Sequence, residues 1–307
     1  MPALTSYTHA ITADQAAKLR GVLLARGFDL AVKPYCLYAA SKAKLNVAVY
    51  EKGPKIVVQG KETEDFVTNI LEPQIFGVAE LGYEEVTQPE TFQPHLGIDE
   101  SGKGDFFGPL VVAGVYVDPE IVRGLKEIGV MDSKRISSDA RIYKLAAAIR
   151  AIPRISYEVL CIGPDRYNQL YEKIGNLNRL LAWGHAKTIE MLLEKRPDCP
   201  RAISDQFANP AVLQRSLQER GRKIELVQRT KAESDPAVAA ASILAREKFV
   251  SWLAAESARI GFELPKGVSP SVKEAATRII ATEGSHLLGR YAKMHFKTAG
   301  EVLGGVG

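Results

Sequence analysis

The chain has 307 residues, 46% of them hydrophobic and 25% charged, with a formal net charge of +4; this size suits two domains, and this balance excludes disorder as the default state. No run of about 18 apolar residues is available to span a bilayer, so no membrane association is expected, and Met1 to Ala10 lacks the basic flank and apolar stretch of a secretory signal. Three scattered cysteines (Cys36, Cys161, Cys199) fit a reducing, cytoplasmic setting and argue against a disulfide framework or a zinc site, while the net charge is compatible with a polyanionic partner without demanding one.

The first element is a helix. Thr12 is placed to cap it, Gln15 occupies the capping-box position, Ala16, Leu19, Val22 and Leu23 form an apolar stripe, and Gly27 stops it. A hairpin follows: Leu45, Val47 and Val49 alternate with Asn46, Ala48 and Tyr50, Gly53-Pro54 turns the chain, and Ile56 to Val58 returns. A second helix is predicted from about Glu62 to Leu71, ending before Pro73. Together these make a small α+β domain over residues 1–82. Residues 83–95, with two prolines, many polar residues and no periodicity, read as a linker. Beyond it, strands such as Leu110 to Val117 and Ile224 to Val227 alternate with helical patterns at Leu177 to Leu193 and Ala237 to Leu253. That texture predicts a second, larger α/β domain over 96–307, with helices packed on a mixed sheet. The Gly-rich tail is expected to fray.

The segment LGIDESGKGDFFGPLVVAGVYV, from Leu96 to Val117, carries the strongest chemical signal. Adjacent Asp99 and Glu100 at a strand end would repel unless a cation neutralises them, and hard divalent ions such as Mg²⁺ or Mn²⁺ suit such oxygens. Most adjacent acids are solvated surface groups, so this pair alone is weak evidence. Asp205 follows Ala202-Ile203-Ser204 and is expected at a strand end. Glu233 and Asp235 lie between a strand and an Ala-rich helix, where Asp235 reads as the helix N-cap and Glu233 stands where catalytic groups are often displayed.

Several motifs in order carry a family resemblance. GIDESGKGDFFGPLVVAGVYV resembles the opening motif of the type 2 ribonucleases H, and DFFGPLVVAGV the form seen in ribonuclease HIII. MDSKRIS resembles the family's DSK element; YNQLYEKIGNLNRLLAWGHAKTIEML, AAASILAR and KMHFKT are similar to HIII patterns; and the N-terminal unit resembles the TATA-binding-protein-like domain of that branch. The resemblance implies an α/β (α+β overall) protein, with a ribonuclease H-like catalytic domain of mixed sheet flanked by helices and a small TATA-binding-protein-like domain. It implies an endoribonuclease that hydrolyses the RNA strand of RNA/DNA hybrids with two divalent ions, Mg²⁺ or Mn²⁺, leaving 5′-phosphate and 3′-hydroxyl ends. The implied metal and catalytic residues are Asp99, Glu100, Asp205 and Glu233. Many relatives have aspartate at the last position; Glu233 is preferred there over Asp235.

In that light, Ser101, Gly102, Lys103 and Gly104 are expected to bind substrate, the turn's amides reading the 2′-OH and Lys103 a phosphate. Without the resemblance, a tight turn with an exposed lysine would be the better reading. Ser133 and Lys134 are expected at the DNA-strand backbone, or equally as a helix entry with a solvated lysine. Asn46, Tyr50 and Lys52, within a basic stretch that includes Lys42, Lys44, Lys55 and Lys61, are expected on a duplex-binding face. His185 and His295 read as packed structural residues, and Phe106 and Phe107 as core. A monomer is expected. The competing readings are a ribonuclease HII-like excision of single ribonucleotides, a non-catalytic hybrid-binding protein, and a DNA-cutting nuclease on the same fold.

Overall fold

The computed structural model describes residues 4–77, 89–130, 136 and 138–304. It divides into two compact units, Met1–Pro89 and Glu90–Gly307. No helix among the described residues is long and apolar enough to cross a membrane.

The first unit contains β1 (Ser6–Ala10), α1 (Ala13–Ala25), β2 (Asp29–Ala31), β3 (Cys36–Lys42), β4 (Leu45–Tyr50), β5 (Lys55–Gly60) and α2 (Thr63–Phe66). Its sheet has the order β1-β5-β4-β3-β2 with every pair antiparallel. The predicted start of α1 is present in full: Thr12 Oγ1 accepts from Gln15 N, and Gln15 Oε1 accepts from Thr12 N. In β4, Leu45, Val47 and Val49 are buried, with Asn46, Ala48 and Tyr50 on the other face. Leu19 and Leu23 from α1 pack on Val47, Val49, Ile56 and Val58, forming a core of the unit's own.

Two details differ from the sequence reading. The second helix does not end before Pro73; beyond Phe66 it widens into a π-helical stretch (Val67–Phe76) with Pro73 inside it. Proline lacks a donor and its ring crowds the preceding turn, and an i→i+5 turn accommodates both; Gly77 N donates to Glu72 O to close the stretch. The expected linker is also shorter at its C-terminal end. Residues 83–88 lie outside the described residues, but Pro89–Phe92 forms α3 and His95 opens the next strand.

The second unit comprises β6 (His95–Ser101), β7 (Leu110–Val117), α4 (Pro119–Glu127), α5 (Asp139–Arg150), β8 (Ser156–Ile162), α6 (Pro164–Ile174), α7 (Leu177–Lys195), β9 (Arg201–Asp205), α8 (Pro210–Ser216), β10 (Glu225–Arg229), α9 (Pro236–Ile260), α10 (Pro270–Glu283) and α11 (Lys297–Gly304). The sheet order is β10-β9-β6-β7-β8. β6 pairs in parallel with β9 and antiparallel with β7, so the sheet is mixed. Every residue of β7 is buried, as expected for a strand covered on both faces.

α7 covers one face and α9 the other. Gly114 of β7 leaves room for Leu192 and Thr188 of α7. On the opposite face α9 approaches β6 so closely that a Cβ on Gly97 would lie 2.2 Å from Val238 N and 2.3 Å from Ala237 C. The alanine run Ala239-Ala240-Ala241 permits this approach, since small side chains let helix and sheet backbones come together. Gly97→Ala is therefore expected to destabilise the unit by at least about 2 kcal/mol, because backbone must shift to relieve the overlap. Urea denaturation checks this; a change within about 0.5 kcal/mol of wild type would contradict the packing.

Candidate active site

β6 delivers Asp99 and Glu100 to its C-terminal end, and strand alternation sends their side chains to opposite faces. Asp99 is 8% exposed on the α9 side, where Ser242 hydrogen-bonds it, and its Oδ1 accepts from Glu100 N at 2.8 Å. Glu100 turns toward α7, where buried His185 donates through Nε2 to Oε2 at 3.0 Å; a carboxylate only accepts, so that nitrogen carries the proton. His185 Nδ1 meets the Ser204 hydroxyl at 3.0 Å, tying Glu100 to the neighbouring strand β9. Asp205 ends β9, and its Oδ1 accepts from Ala232 N at 3.2 Å, so it anchors the 3₁₀ turn Ala232–Ser234.

Asp99, Glu100 and Asp205 line one cavity of about 610 Å³, together with Ser101, Gly102, Lys103 and Gly104. Gly102 has φ +85°, and a Cβ there would lie 2.2 Å from Pro109 O, so the turn requires glycine at that position. Lys103 Nζ lies 3.8 Å from Glu100 Oε1 and 5.6 Å from the centroid of the Phe207 ring. Glu233 is half-buried on the turn that Asp205 anchors and is not among the residues lining the cavity. Asp235 is the N-cap of α9: Oδ1 accepts from Ala237 N and Val238 N, and both its oxygens face His95 Nε2 at 3.1 Å. Those partners commit its carboxylate to the joint between α9 and β6.

Among the described residues, no three His, Cys, Asp or Glu side chains converge as a closed metal cage. The donor set nevertheless fits a hard divalent cation that keeps several waters, since it consists of carboxylate oxygens spread around an open cavity. Burial first, and then the Glu100 charge, push the Asp99 carboxyl up to about 7, the signature of an acid whose negative charge lacks compensation. Of the other expected residues, Asn46 and Lys52 are exposed and Tyr50 is half-buried in the first unit. Ser133 and Lys134 lie outside the described residues.

Several residues that the sequence reading gave no role surround this site. Lys293 is fully buried, and its Nζ donates to the carbonyls of Asp105 (2.8 Å), Gly108 (2.7 Å) and Phe107 (3.4 Å). It thereby clamps the segment that follows the Gly102–Gly104 turn. Gly267 N donates to Asp105 Oδ1 at 2.7 Å, and Phe106 N to Gly267 O at 3.0 Å. Arg246 and Lys266 also line the cavity. As expected from the sequence, His295 is packed, its ring 4.2 Å from that of Tyr171 between centroids, and Phe106 and Phe107 are fully buried core.

Two measurements test these electrostatics. The folded state holds the Asp99 proton up to about 7 against 3.8 for the free group, so wild type loses stability as pH rises through that interval. Without metal, Asp99→Asn should therefore gain about 1–3 kcal/mol over wild type between pH 5 and pH 8; urea curves in EDTA showing no such gain would rule out the strained carboxylate. Burial depresses Lys293 from 10.5 to about 7, so the unfolded chain binds the extra proton in that window and wild-type stability rises with pH across it. Lys293→Met should lack this rise and cost about 2 kcal/mol at high pH by stranding the carbonyls that the amine holds. Parallel pH profiles for the two proteins would contradict the clamp.

The ribonuclease HII family model matches residues 96–299. The chain is 41% identical to ribonuclease HIII of Protochlamydia amoebophila (strain UWE25) over 307 residues, covering 100% of both chains, and 42% identical to ribonuclease HIII of Chlamydia muridarum (strain MoPn / Nigg), covering 98% of each. Among solved structures, it is similar to Bst-RNase HIII in complex with Mn²⁺ (TM-score 0.68, 28% identity, 98% of each chain covered). It also resembles Aquifex aeolicus RNase H3, at TM-score 0.55 and 28% identity, covering 95% of this chain and 100% of that one. The chain belongs to the ribonuclease HII family, within its ribonuclease HIII branch.

Proposed function

We propose that this protein is a metal-dependent endoribonuclease that hydrolyses the RNA strand of RNA/DNA hybrids, leaving 5′-phosphate and 3′-hydroxyl ends. The observation that carries the reading is the single cavity in which Asp99, Glu100 and Asp205 meet the Ser101-Gly102-Lys103-Gly104 turn. Acid oxygens for divalent ions and close-approach backbone for a ribose are the two parts such a reaction needs.

Two divalent ions, Mg²⁺ or Mn²⁺, would supply an activated water and stabilise the leaving 3′-oxygen; Mn²⁺ is the ion in the crystal structure of Bst-RNase HIII. Asp99, buried at the end of β6, would be the carboxylate shared by both ions. Glu100, aimed by His185, and Asp205 supply the flanking oxygens. Glu233 is assigned as the fourth acid: it makes no hydrogen bond or ion pair among the described residues, and its turn is fastened to Asp205. Its length gives it reach that the fully engaged Asp235 lacks. No side chain acts as nucleophile. The amides of Gly102 to Gly104 read the 2′-OH, and Lys103 holds a phosphate.

Asn46, Tyr50 and Lys52 of the first unit, with the lysines around them, are assigned to binding the duplex backbone, and Ser133 and Lys134 to the DNA strand. The protein is taken to act as a cytoplasmic monomer.

The deciding experiment incubates a labelled RNA/DNA hybrid with the protein in Mg²⁺, Mn²⁺ or EDTA, beside Asp99→Asn. Cutting with either ion, none in EDTA, and a loss of at least about a thousandfold in the variant are expected. A duplex with a lone ribonucleotide should be cut more slowly than a hybrid. Hybrid that is bound yet intact with every ion would make this a binding protein instead.

A further inference from the structure

We propose that Arg246 and Lys266, held together by Asp139, form a subsite for a backbone phosphodiester next to the scissile one on the strand that is cut. This inference rests on the nuclease reading above and adds to it a binding site for one specific charge.

α9 turns Ser242, Arg246 and Phe249 toward the cavity at spacings of four and three residues. Ser242 hydrogen-bonds Asp99, and Arg246 lies one turn further, about 6 Å along the helix. That step is close to the spacing of successive phosphates along an extended strand. Lys266 reaches the same cavity from the loop between α9 and α10.

Asp139, the first residue of α5, serves both cations: Oδ1 lies 3.5 Å from Arg246 Nη2, and Oδ2 2.7 Å from Lys266 Nζ. Two cations are thus gathered around one carboxylate on the wall of the cavity, where a backbone phosphodiester is the matching anion. The cavity's acids make such a cluster necessary. A polyanionic strand brought against Asp99, Glu100 and Asp205 is repelled wherever divalent ions do not intervene, and only basic side chains can offset that for the flanking phosphates.

Placement on the cavity wall separates this pair from ordinary surface ion pairs. The Arg246 side chain is 23% exposed and that of Lys266 46%, and both residues line the cavity. Lys223–Glu219, by contrast, is a one-to-one pair outside this cavity. Arginine's planar fork also suits two phosphate oxygens at once. The pair is tied to the recognition turn as well: Gly267, next to Lys266, exchanges hydrogen bonds with Asp105 Oδ1 and Phe106 N. The 2′-OH-reading turn and the phosphate subsite are thus held in a fixed relation.

The test uses the full chain and a fluorescent RNA/DNA hybrid. Binding is read by anisotropy in EDTA across a salt series, and cleavage is followed with Mg²⁺ or Mn²⁺. Arg246→Gln and Lys266→Gln should each weaken binding about five- to tenfold and reduce the slope of log Kd against log salt by about one. KM should rise more than kcat falls, and Arg246→Lys should recover part of the affinity. Lys223→Gln, at a solvent-facing pair, should match wild type in every readout. Melting curves establish that each variant is folded. Folded variants with wild-type affinity and salt slope would overturn the subsite while leaving the nuclease reading intact. A wild-type protein that neither binds nor cuts the hybrid would overturn both.

Discussion

Two carboxylates on consecutive residues of a buried strand cannot both stay ionised without support, and the second unit is organised around that constraint. Strand alternation divides the problem between the two faces of the sheet. Asp99 faces α9 and receives the Ser242 hydrogen bond, while Glu100 faces α7 and accepts a hydrogen bond from His185 Nε2. Each covering helix thus contributes a polar residue to the acid on its side of the sheet. The support is partial by design: the Asp99 carboxyl is still held above its ordinary range by burial and by Glu100. Fully satisfied acids would have no affinity left for a cation, whereas undercompensated oxygens on a rigid strand favour a divalent ion strongly.

Rigidity comes from the joint between β6 and α9. His95, at the start of β6, sends Nδ1 to the Gln93 carbonyl and Nε2 to Asp235. Asp235 in turn caps the helix that runs back over Gly97 to Ser242. The strand that carries the acids and the helix that supports one of them are therefore pinned at one end and in backbone contact in the middle. A shift of either would move Asp99 relative to Ser242, and the small residues at the crossing leave no slack for it.

What the sequence made legible was local. The capping box of Thr12 and Gln15, the alternation in Leu45 to Tyr50, the uniformly apolar β7 and the Asp235 cap each depend on neighbours within a few residues, and each is present as read. The strands β1, β2 and β3 went unread because they are short or carry Ser, Thr, Lys and Tyr without a clear two-residue period. Pro73 misled because a proline rule made for α-helices does not govern a π-turn. The supporting residues of the site were illegible for a different reason. His185 meets Glu100 across 85 positions and Lys293 meets Gly108 across 185, and no periodicity encodes such a pairing. A buried lysine looks like any other lysine until the fold removes its water.

That distance in sequence bears on selectivity. Telling ribose from deoxyribose rests on one hydroxyl, and a hydrogen bond to it weakens steeply once the donor moves by about half an ångström. A glycine-rich turn is the least able of all segments to hold such a position by itself, because glycine has the most conformational freedom to lose. On the proposed reading, the freedom that would let the Gly102–Gly104 backbone approach a ribose is removed from outside. Lys293 grips three carbonyls just beyond the turn, Gly267 holds Asp105, and Tyr291 O accepts from Gly108 N. Burying an ammonium carries a considerable energetic cost, visible in the depression of Lys293 from 10.5 to about 7, and that cost falls on the stability of the unit as pH drops through that interval. Retaining a lysine at that position makes physical sense where the geometry of the turn matters more than the stability of the fold.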